Sequence, residues 1–584
     1  MKPRPAFALF ALVLLLSSCA VSEPVRYDTI LRGGTIYDGN GGDPFVADVA
    51  IDNDRIAMIG DLSAAVSDNE VDAAGLAVSP GFINMLSWAV DSLITDGRSQ
   101  GDIRQGVTLE VFGEGQSYGP LNDAQKQAFM AGWLAGSDGE DDLRSRLGLA
   151  DEADLEVPWT TLGQYLEFLV DKGISTNIAS FVGATTLRVH EIGYEDRPPT
   201  EAELATMQEL VREAMLEGAM GIGSSLIYAP AFYASTEELI ALNAAAGDFG
   251  GMYISHMRSE GNQLLEAVDE LLTIARTANV AAEIYHLKAG GQENWAKMDE
   301  VIAKVEAARA DGLAITADMY TYTAGSTGLD AAMPPWVQEG GYRAWAERLQ
   351  DPATRSQLLV EMTTPTNDWE NLMMAAGPEG TLLVGFQNEE LRAQYTGKTL
   401  AEVAEERGTH YAETAMDLVV EDGTRVQVVY FLMSEENVEK QIAIPWLSFG
   451  SDAASMATNE PFTRTSTHPR AYGNFSRLLG RYVRDRGVIT LQEAVRKLAA
   501  LPADNLGIAD RGRLVPGHYA DIAVFDPAAI SDHATYEDPH QYATGMVHVF
   551  VNGGHVLRDG EHTGVLSGQV VRGPGWNGER ASRQ

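Results

Sequence analysis

Four polar residues stand where short apolar runs give way to loops. Glu114 lies in Gly113-Glu114-Gly115-Gln116-Ser117, His256 closes the run that begins at Met252, His286 closes the run from Ala281, and Asp452 lies in Phe449-Gly450-Ser451-Asp452-Ala453. Two imidazoles and a carboxylate are the ligand set of an open catalytic zinc site, in which water takes the fourth position. Of the 11 histidines, only His190, His256, His286, His410 and His468 fall in the long central part of the chain. A lone histidine in such a place is ordinarily a satisfied structural residue. Two that end consecutive apolar runs, with acids at the ends of two others, point to a metal site. Taken by itself, Glu114 reads equally as a solvated loop acid, with flanking glycines that let the backbone turn sharply. Asp452 taken alone is either a helix N-cap or a catalytic base. The histidines after residue 511 are expected at the surface.

The elements that must position these groups follow from hydrophobic periodicity. Short β-strands with Gly, Asp and Asn turns are predicted from Tyr27 to about Val78. After Pro80 apolar strands alternate with helices: Gly81–Asn84, Thr108–Phe112, Asn177–Val182, Gly221–Ser225, Met252–His256, Ala281–His286, Ile315–Tyr320 and Leu447–Asp452. Helices are predicted over Ala202–Glu217, Glu237–Ala245, Leu264–Ala278 and Met298–Ala308, where apolar residues recur every three or four positions. Strands buried on both faces and joined by helical crossovers predict a parallel α/β barrel of the (β/α)8, TIM-like type, whose reactive groups sit at the C-terminal strand ends. The long interval between Tyr320 and Leu447 predicts an inserted, partly helical lid over about 328–440. β-pattern returns after Gly512, including Val570–Val571, so both termini are expected to pair into one small β-sandwich. The expected organisation is 27–78 and 511–575 in that sandwich and 79–510 in the barrel.

Composition narrows the function. The 584-residue chain is 45% hydrophobic and carries a formal net charge of −41, which fits a globular protein and makes nucleic-acid binding improbable. An acidic substrate would need local basic residues to hold it. The first residues read as a targeting segment, with Lys2 and Arg4, an apolar run from Ala6 to Leu16, then Leu16-Ser17-Ser18-Cys19. Cys19 is the one cysteine of the chain. Its position resembles a bacterial lipoprotein cleavage site, so residues 1–19 are expected to be a signal peptide, Cys19 the lipidated residue and 20–26 a tether. The expected location is the cell envelope, lipid-anchored and facing the periplasm. Ala20 is not an acidic retention residue, which favours the outer membrane.

Taken together, the motifs resemble the D-aminoacylase (N-acyl-D-amino-acid deacylase) branch of the amidohydrolase superfamily over nearly the whole mature chain. They include Ser79-Pro80-Gly81-Phe82-Ile83, Gln105-Gly106-Val107-Thr108, Ser255-His256-Met257-Arg258, Tyr285-His286-Leu287-Lys288, Ala324-Gly325-Ser326-Thr327, His468-Pro469-Arg470 and Pro516-Gly517-His518-Tyr519-Ala520-Asp521. By this resemblance His256 and His286 match the zinc-holding histidines and Asp452 the aspartate that acts on the attacking water. Lys288, Tyr320, Ser326 and Arg470 match positions that bind the substrate carboxylate. The chain also departs from the family: Leu86-Ser87-Trp88 stands where a His-x-His pair is usual, no cysteine follows strand 2, and Ala184 replaces a histidine.

The resulting expectation is an N-acyl-D-amino-acid deacylase acting on a small N-acyl amino acid. One zinc per chain is held by Glu114, His256 and His286, Asp452 is the base, and Leu86 and Trp88 form an apolar wall. A peptidase or cyclic-amide hydrolase on the same barrel, and a metal-free periplasmic binding lipoprotein, are the competing readings. The leader generates its own test. Cys19→Ser should yield protein that carries no lipid mass and no longer sediments with membranes; wild-type protein that is soluble and unlipidated would refute the anchor.

Overall fold

The computed structural model describes residues 24–135, 139–149 and 155–578, so Cys19 and the leader lie outside the described residues. Eight parallel strands form the centre: β1 (Phe82–Asn84), β2 (Val107–Phe112), β3 (Asn177–Ser180, continued as Val182–Gly183), β4 (Gly221–Ser225), β5 (Met252–His256), β6 (Ala282–Ile284), β7 (Ile315–Met319) and β8 (Leu447–Phe449). Each pairs in parallel with the next. The ring closes where the chain leaving β1 meets the chain leaving β8: Met85 N–H donates to Phe449 O (3.2 Å), Asp452 N–H to Leu86 O (2.8 Å), and Ser87 bridges Ala453. Ile83, Leu86, Leu109, Val111, Ala179 and Ile254 belong to one buried cluster that fills the interior.

Helices return the chain between strands and cover the outer face. Leu264–Ala278 lies where periodicity predicts it. Thr200 and Ser235 cap the helices Glu201–Leu216 and Thr236–Gly247 by accepting from backbone N–H groups in the first turn. None of the described helices is long and apolar enough to cross a membrane.

Between β7 and β8 the chain builds a separate layer with its own buried core. It opens on the strand Ala324–Gly328, which pairs antiparallel with Gln427–Phe431, itself paired with Thr381–Gly385. Helices between Gly341 and Asp422 complete the layer.

The two ends of the chain share a nine-stranded sheet, joined where Ala77–Pro80 runs antiparallel to Ile522–Phe525. Val570–Val571, expected in that sheet, lies elsewhere. Val570 bridges Ile178 of β3, and Val571 is buried with the interior cluster. Covering the open N-terminal end of the barrel buries the valine more fully than a sheet edge would. His548, expected at the surface, is likewise buried beside His555.

The loop after β2 shows why Gly113 and Gly115 flank Glu114. Gly113 has φ +112°, and a Cβ there would lie 2.5 Å from the backbone oxygen of Phe181 in the chain of β3. Gly115 has φ +70°, and its Cβ would fall on Ser225 Oγ at the end of β4. Only a chain without side chains at both places can press the glutamate inward against its neighbours. Gly113→Ala is therefore expected to lower the unfolding free energy by about 2 kcal/mol or more and to weaken metal retention. An unchanged melting temperature by calorimetry would show that the loop has another way to fit.

Candidate metal centre and active site

Glu114, His256 and His286 converge over the C-terminal mouth of the barrel, all buried, each with a possible ligand atom within 4.8 Å of the others. Glu114 Oε1 faces His256 Nδ1 at 3.0 Å and His286 Nε2 at 2.8 Å. The second oxygen, Oε2, accepts from the indole Nε1–H of Trp88 at 2.9 Å. His256 Nε2 is buried and makes no hydrogen bond among the described residues. One carboxylate oxygen and two imidazole nitrogens drawn to one point are the donor set of a three-ligand zinc site with an open position, so the residues present fit that metal.

Asp452 lies beside this cluster on the far side of Trp88. The same indole N–H reaches Asp452 Oδ1 at 3.1 Å, and Oδ2 pairs with Arg470 Nη1 at 2.9 Å. The sequence left Asp452 as a cap or a base. β8 ends at Phe449 rather than at Asp452, no helix begins directly after Asp452, and the residue sits at φ +49° with its carboxylate turned into the pocket. His286 is similarly left-handed, at φ +33°, held by its N–H donating to Asp318 Oδ1 at 2.9 Å. Left-handed conformations in non-glycine residues cost energy and collect at functional sites.

The residues expected to take a substrate carboxylate fall into two groups. Arg470 stacks over Tyr320, 4.5 Å from the ring centre, and Nη2 donates to the backbone oxygen of Ser326 at 3.3 Å. Its Nε is buried and makes no hydrogen bond among the described residues. Ser326 Oγ donates to Val428 O. His468 fixes the start of this segment, accepting from Arg470 N–H on Nδ1 and meeting Ala324 O through Nε2. Lys288 stands apart: Nζ lies 2.6 Å from Glu260 Oε1 and 2.6 Å from His286 Nδ1. All of these line one pocket of about 440 Å3 beneath the inserted layer, which contributes Thr327, Asp330, Arg425, Gln427 and Tyr430. His190 pairs with Glu191 and His410 caps the helix Tyr411–Asp422, so neither enters the site.

Glu260 is the functional group that sequence reasoning missed. Its carboxylate stands behind both imidazoles, 3.0 Å from His286 Nδ1 and 3.7 Å from His256 Nε2. It follows His256 by four residues, but in a loop, so no periodicity marked it. Trp88 is a correction. The expected apolar wall does not exist, because Leu86 is buried in the barrel interior and Trp88 offers a polar N–H to two acids. The indole is amphipathic, and only its ring is apolar.

The charges answer one another. Burial raises the Glu114 carboxyl, but His286 and His256 outweigh it and hold the group below the usual carboxylate range. Burial and Lys288 lower His286, but Glu260 and Glu114 outweigh them and push it up to about 10. Burial raises Asp452, with Arg470 only partly offsetting it. Glu260→Gln should therefore act twice: metal affinity should fall roughly 10- to 100-fold, the usual scale for a carboxylate that orients a metal-bound imidazole, and the His286 imidazole of zinc-free protein should titrate below its value of about 10. NMR titration and competition with a chelator read both. Unchanged affinity would make Glu260 a partner of Lys288 alone.

Comparison with known proteins gives the family. The amidohydrolase family model matches residues 69–557. The D-aminoacylase of Alcaligenes xylosoxydans xylosoxydans is 32% identical over 94% of this chain and 98% of its own length. A D-aminoacylase structure described by its binuclear metal centre, with one-metal activation and second-metal attenuation, superposes with a TM-score of 0.74 at 32% identity, over 94% of this chain and all of that one. The N-acyl-D-glutamate deacylase of Bordetella bronchiseptica, complexed with zinc and a phosphonate mimic of the tetrahedral intermediate, gives a TM-score of 0.73 at 28% identity over the same shares. The protein is a member of the amidohydrolase family.

Proposed function

We propose that this chain is a zinc-dependent N-acyl-D-amino-acid deacylase. It hydrolyses the amide to a carboxylate and a free D-amino acid, with one zinc held by Glu114, His256 and His286. The convergence of these three donors beside the Asp452–Arg470 pair, in one pocket, carries the reading. The D-aminoacylase and N-acyl-D-glutamate deacylase relatives supply the substrate class and its chirality.

Glu114, His256 and His286 would hold the zinc, which when bound would supply the Lewis acidity that polarises the scissile carbonyl and lowers the pKa of the attacking water. Asp452 takes the proton from that water and returns it to the leaving nitrogen. Burial has raised its carboxyl, which brings it toward the range where a base both accepts and gives up a proton. Arg470 is suited to the substrate's α-carboxylate, because it brings a buried Nε–H with no hydrogen-bond partner among the described residues. Tyr320 keeps the guanidinium plane in place, and Ser326 lines the same wall. Lys288 offsets the charge of Glu260 from behind and adds a positive field to the carboxylate end.

One zinc rather than two is favoured because Asp452 has an indole N–H and a guanidinium, not imidazoles, as its neighbours. The lipidated Cys19 belongs to the same reading and puts the enzyme in the cell envelope, facing the periplasm.

A racemic panel of N-acyl amino acids, scored for the chirality of the amine released, tests the reaction. Release of L-amino acids, or none, would overturn it. Asp452→Asn should retain zinc and lose roughly 10²-fold or more in kcat, and an active variant would remove Asp452 from the chemistry.

A further inference from the structure

Trp88 has a place in the site that neither the sequence motifs nor the zinc ligands account for. Its Nε1–H is shared between Glu114 Oε2 at 2.9 Å and Asp452 Oδ1 at 3.1 Å. These acids come from opposite sides of the barrel closure, one from the loop after β2 and one from the loop after β8. A buried carboxylate and a half-buried one aimed at a common point repel each other, and such a point ordinarily attracts a cation. Here a neutral donor occupies it. The indole nitrogen has no lone pair to give a metal and does not release its proton at physiological pH.

The donor is also held firmly. The main chain carrying it is laced to both acid-bearing segments. Ser87 N–H donates to Val111 O of β2 at 2.9 Å, and Trp88 N–H donates to Ala453 O at 3.0 Å, next to Asp452 itself. Ser87 Oγ anchors the turn by donating to Glu110 and accepting from Ala89 N–H. The backbone that carries the indole is therefore fixed to the seam between β1, β2 and β8, and the two acids hold the ring's N–H in place.

We propose that Trp88 is a positioning residue: its single N–H fixes the orientation of the zinc-side carboxylate and of the base, and its ring keeps a second divalent cation from settling between them. This rests on the roles given above to Glu114 and Asp452. The consequence is chemical. A cation bridging Glu114 Oε2 and Asp452 Oδ1 would take the electron pair that Asp452 needs in order to accept a proton. The indole holds that oxygen by a hydrogen bond that a proton in flight can compete with. Oδ2 stays with Arg470, so the carboxylate is clamped at both ends without a metal.

The experiment uses the purified zinc-loaded enzyme, Trp88→Phe and Trp88→His. Zinc per chain is measured by elemental analysis after equilibrium dialysis against excess zinc, with kcat and KM from the same preparations. Wild type should hold one zinc and keep its activity in excess zinc. Trp88→Phe keeps a ring but lacks the donor; it should hold zinc, lose roughly tenfold or more in kcat, the scale of a lost hydrogen bond to a charged group, and change little in KM. Trp88→His replaces the donor with a ligand and should take up a second zinc. The indole resonance missing from the Trp88→Phe spectrum identifies the Trp88 N–H, which should exchange slowly with solvent in the wild type. Wild-type kcat in Trp88→Phe, a rapidly exchanging Trp88 N–H, or a second zinc bound by the wild type overturns the proposal. One zinc only in Trp88→His overturns the exclusion of a cation. Should Trp88→His fail to fold, Trp88→Phe and the wild-type zinc count still decide the matter. Wild type without zinc or without deacylase activity would instead overturn the functional reading beneath it.

Discussion

A carboxylate buried at the mouth of an apolar barrel is the constraint on which the rest of this site depends. Glu114 is 5% exposed, and an ionised carboxylate out of water is tolerable only when every direction it presents is answered. Two imidazoles answer one oxygen and an indole the other. These come from β5, β6 and the turn after β1, so the site exists only if the barrel closes in register. The partners carry the same demand outward. The imidazoles need Glu260, Glu260 needs Lys288, and across the pocket Asp452 needs Arg470. The result is an alternation of charge from Lys288 to Arg470 in which no member is buried without a neighbour of opposite sign or a hydrogen-bond donor.

The scaffold supplies what that alternation cannot, which is position. His286 and Asp452 both take left-handed backbone conformations just past the ends of short strands. Each is held by a hydrogen bond from its own N–H: one to a carboxylate buried in β7, the other to Leu86 O across the closure. A strand that continued would have turned these side chains alternately inward and outward. Breaking the strand early and reversing the backbone sends both toward the centre of the mouth, at an energy that the surrounding packing offsets.

This explains what could be read in the sequence and what could not. Strands such as Gly221–Ser225 and Met252–His256, and the helix Leu264–Ala278, announce themselves because burial is local and periodic. The candidate ligands were legible because imidazoles at the ends of consecutive apolar runs have few other uses. Glu260 was not legible, since a loop carries no period and acids are abundant in a chain of net charge −41. Trp88 was misread as apolar because a residue's type gives its area, whereas its N–H matters only when two acids far apart in sequence arrive beside it. Val571 went to the barrel end rather than the terminal sheet for the same reason: a short apolar pair fits any surface that covers it, and only the tertiary arrangement chooses.

The two acids that share Trp88 show how one fold assigns different work to identical chemistry. Glu114, buried, and Asp452, half-buried, are carboxylates that share one donor, yet they are displaced in opposite directions. Glu114 faces two groups able to carry positive charge and stays ionised across the working range, as a ligand must. Asp452 has one guanidinium on its outer oxygen and the Glu114 charge nearby, so burial prevails and its carboxyl rises. Environments that push two acids apart are how a site separates a permanent anion from a group that exchanges protons. The separation follows from which strand end each acid occupies. Moving either to the other's position would give it the wrong neighbours, and the assignment of ligand and base is therefore a property of the barrel closure as much as of the residues themselves.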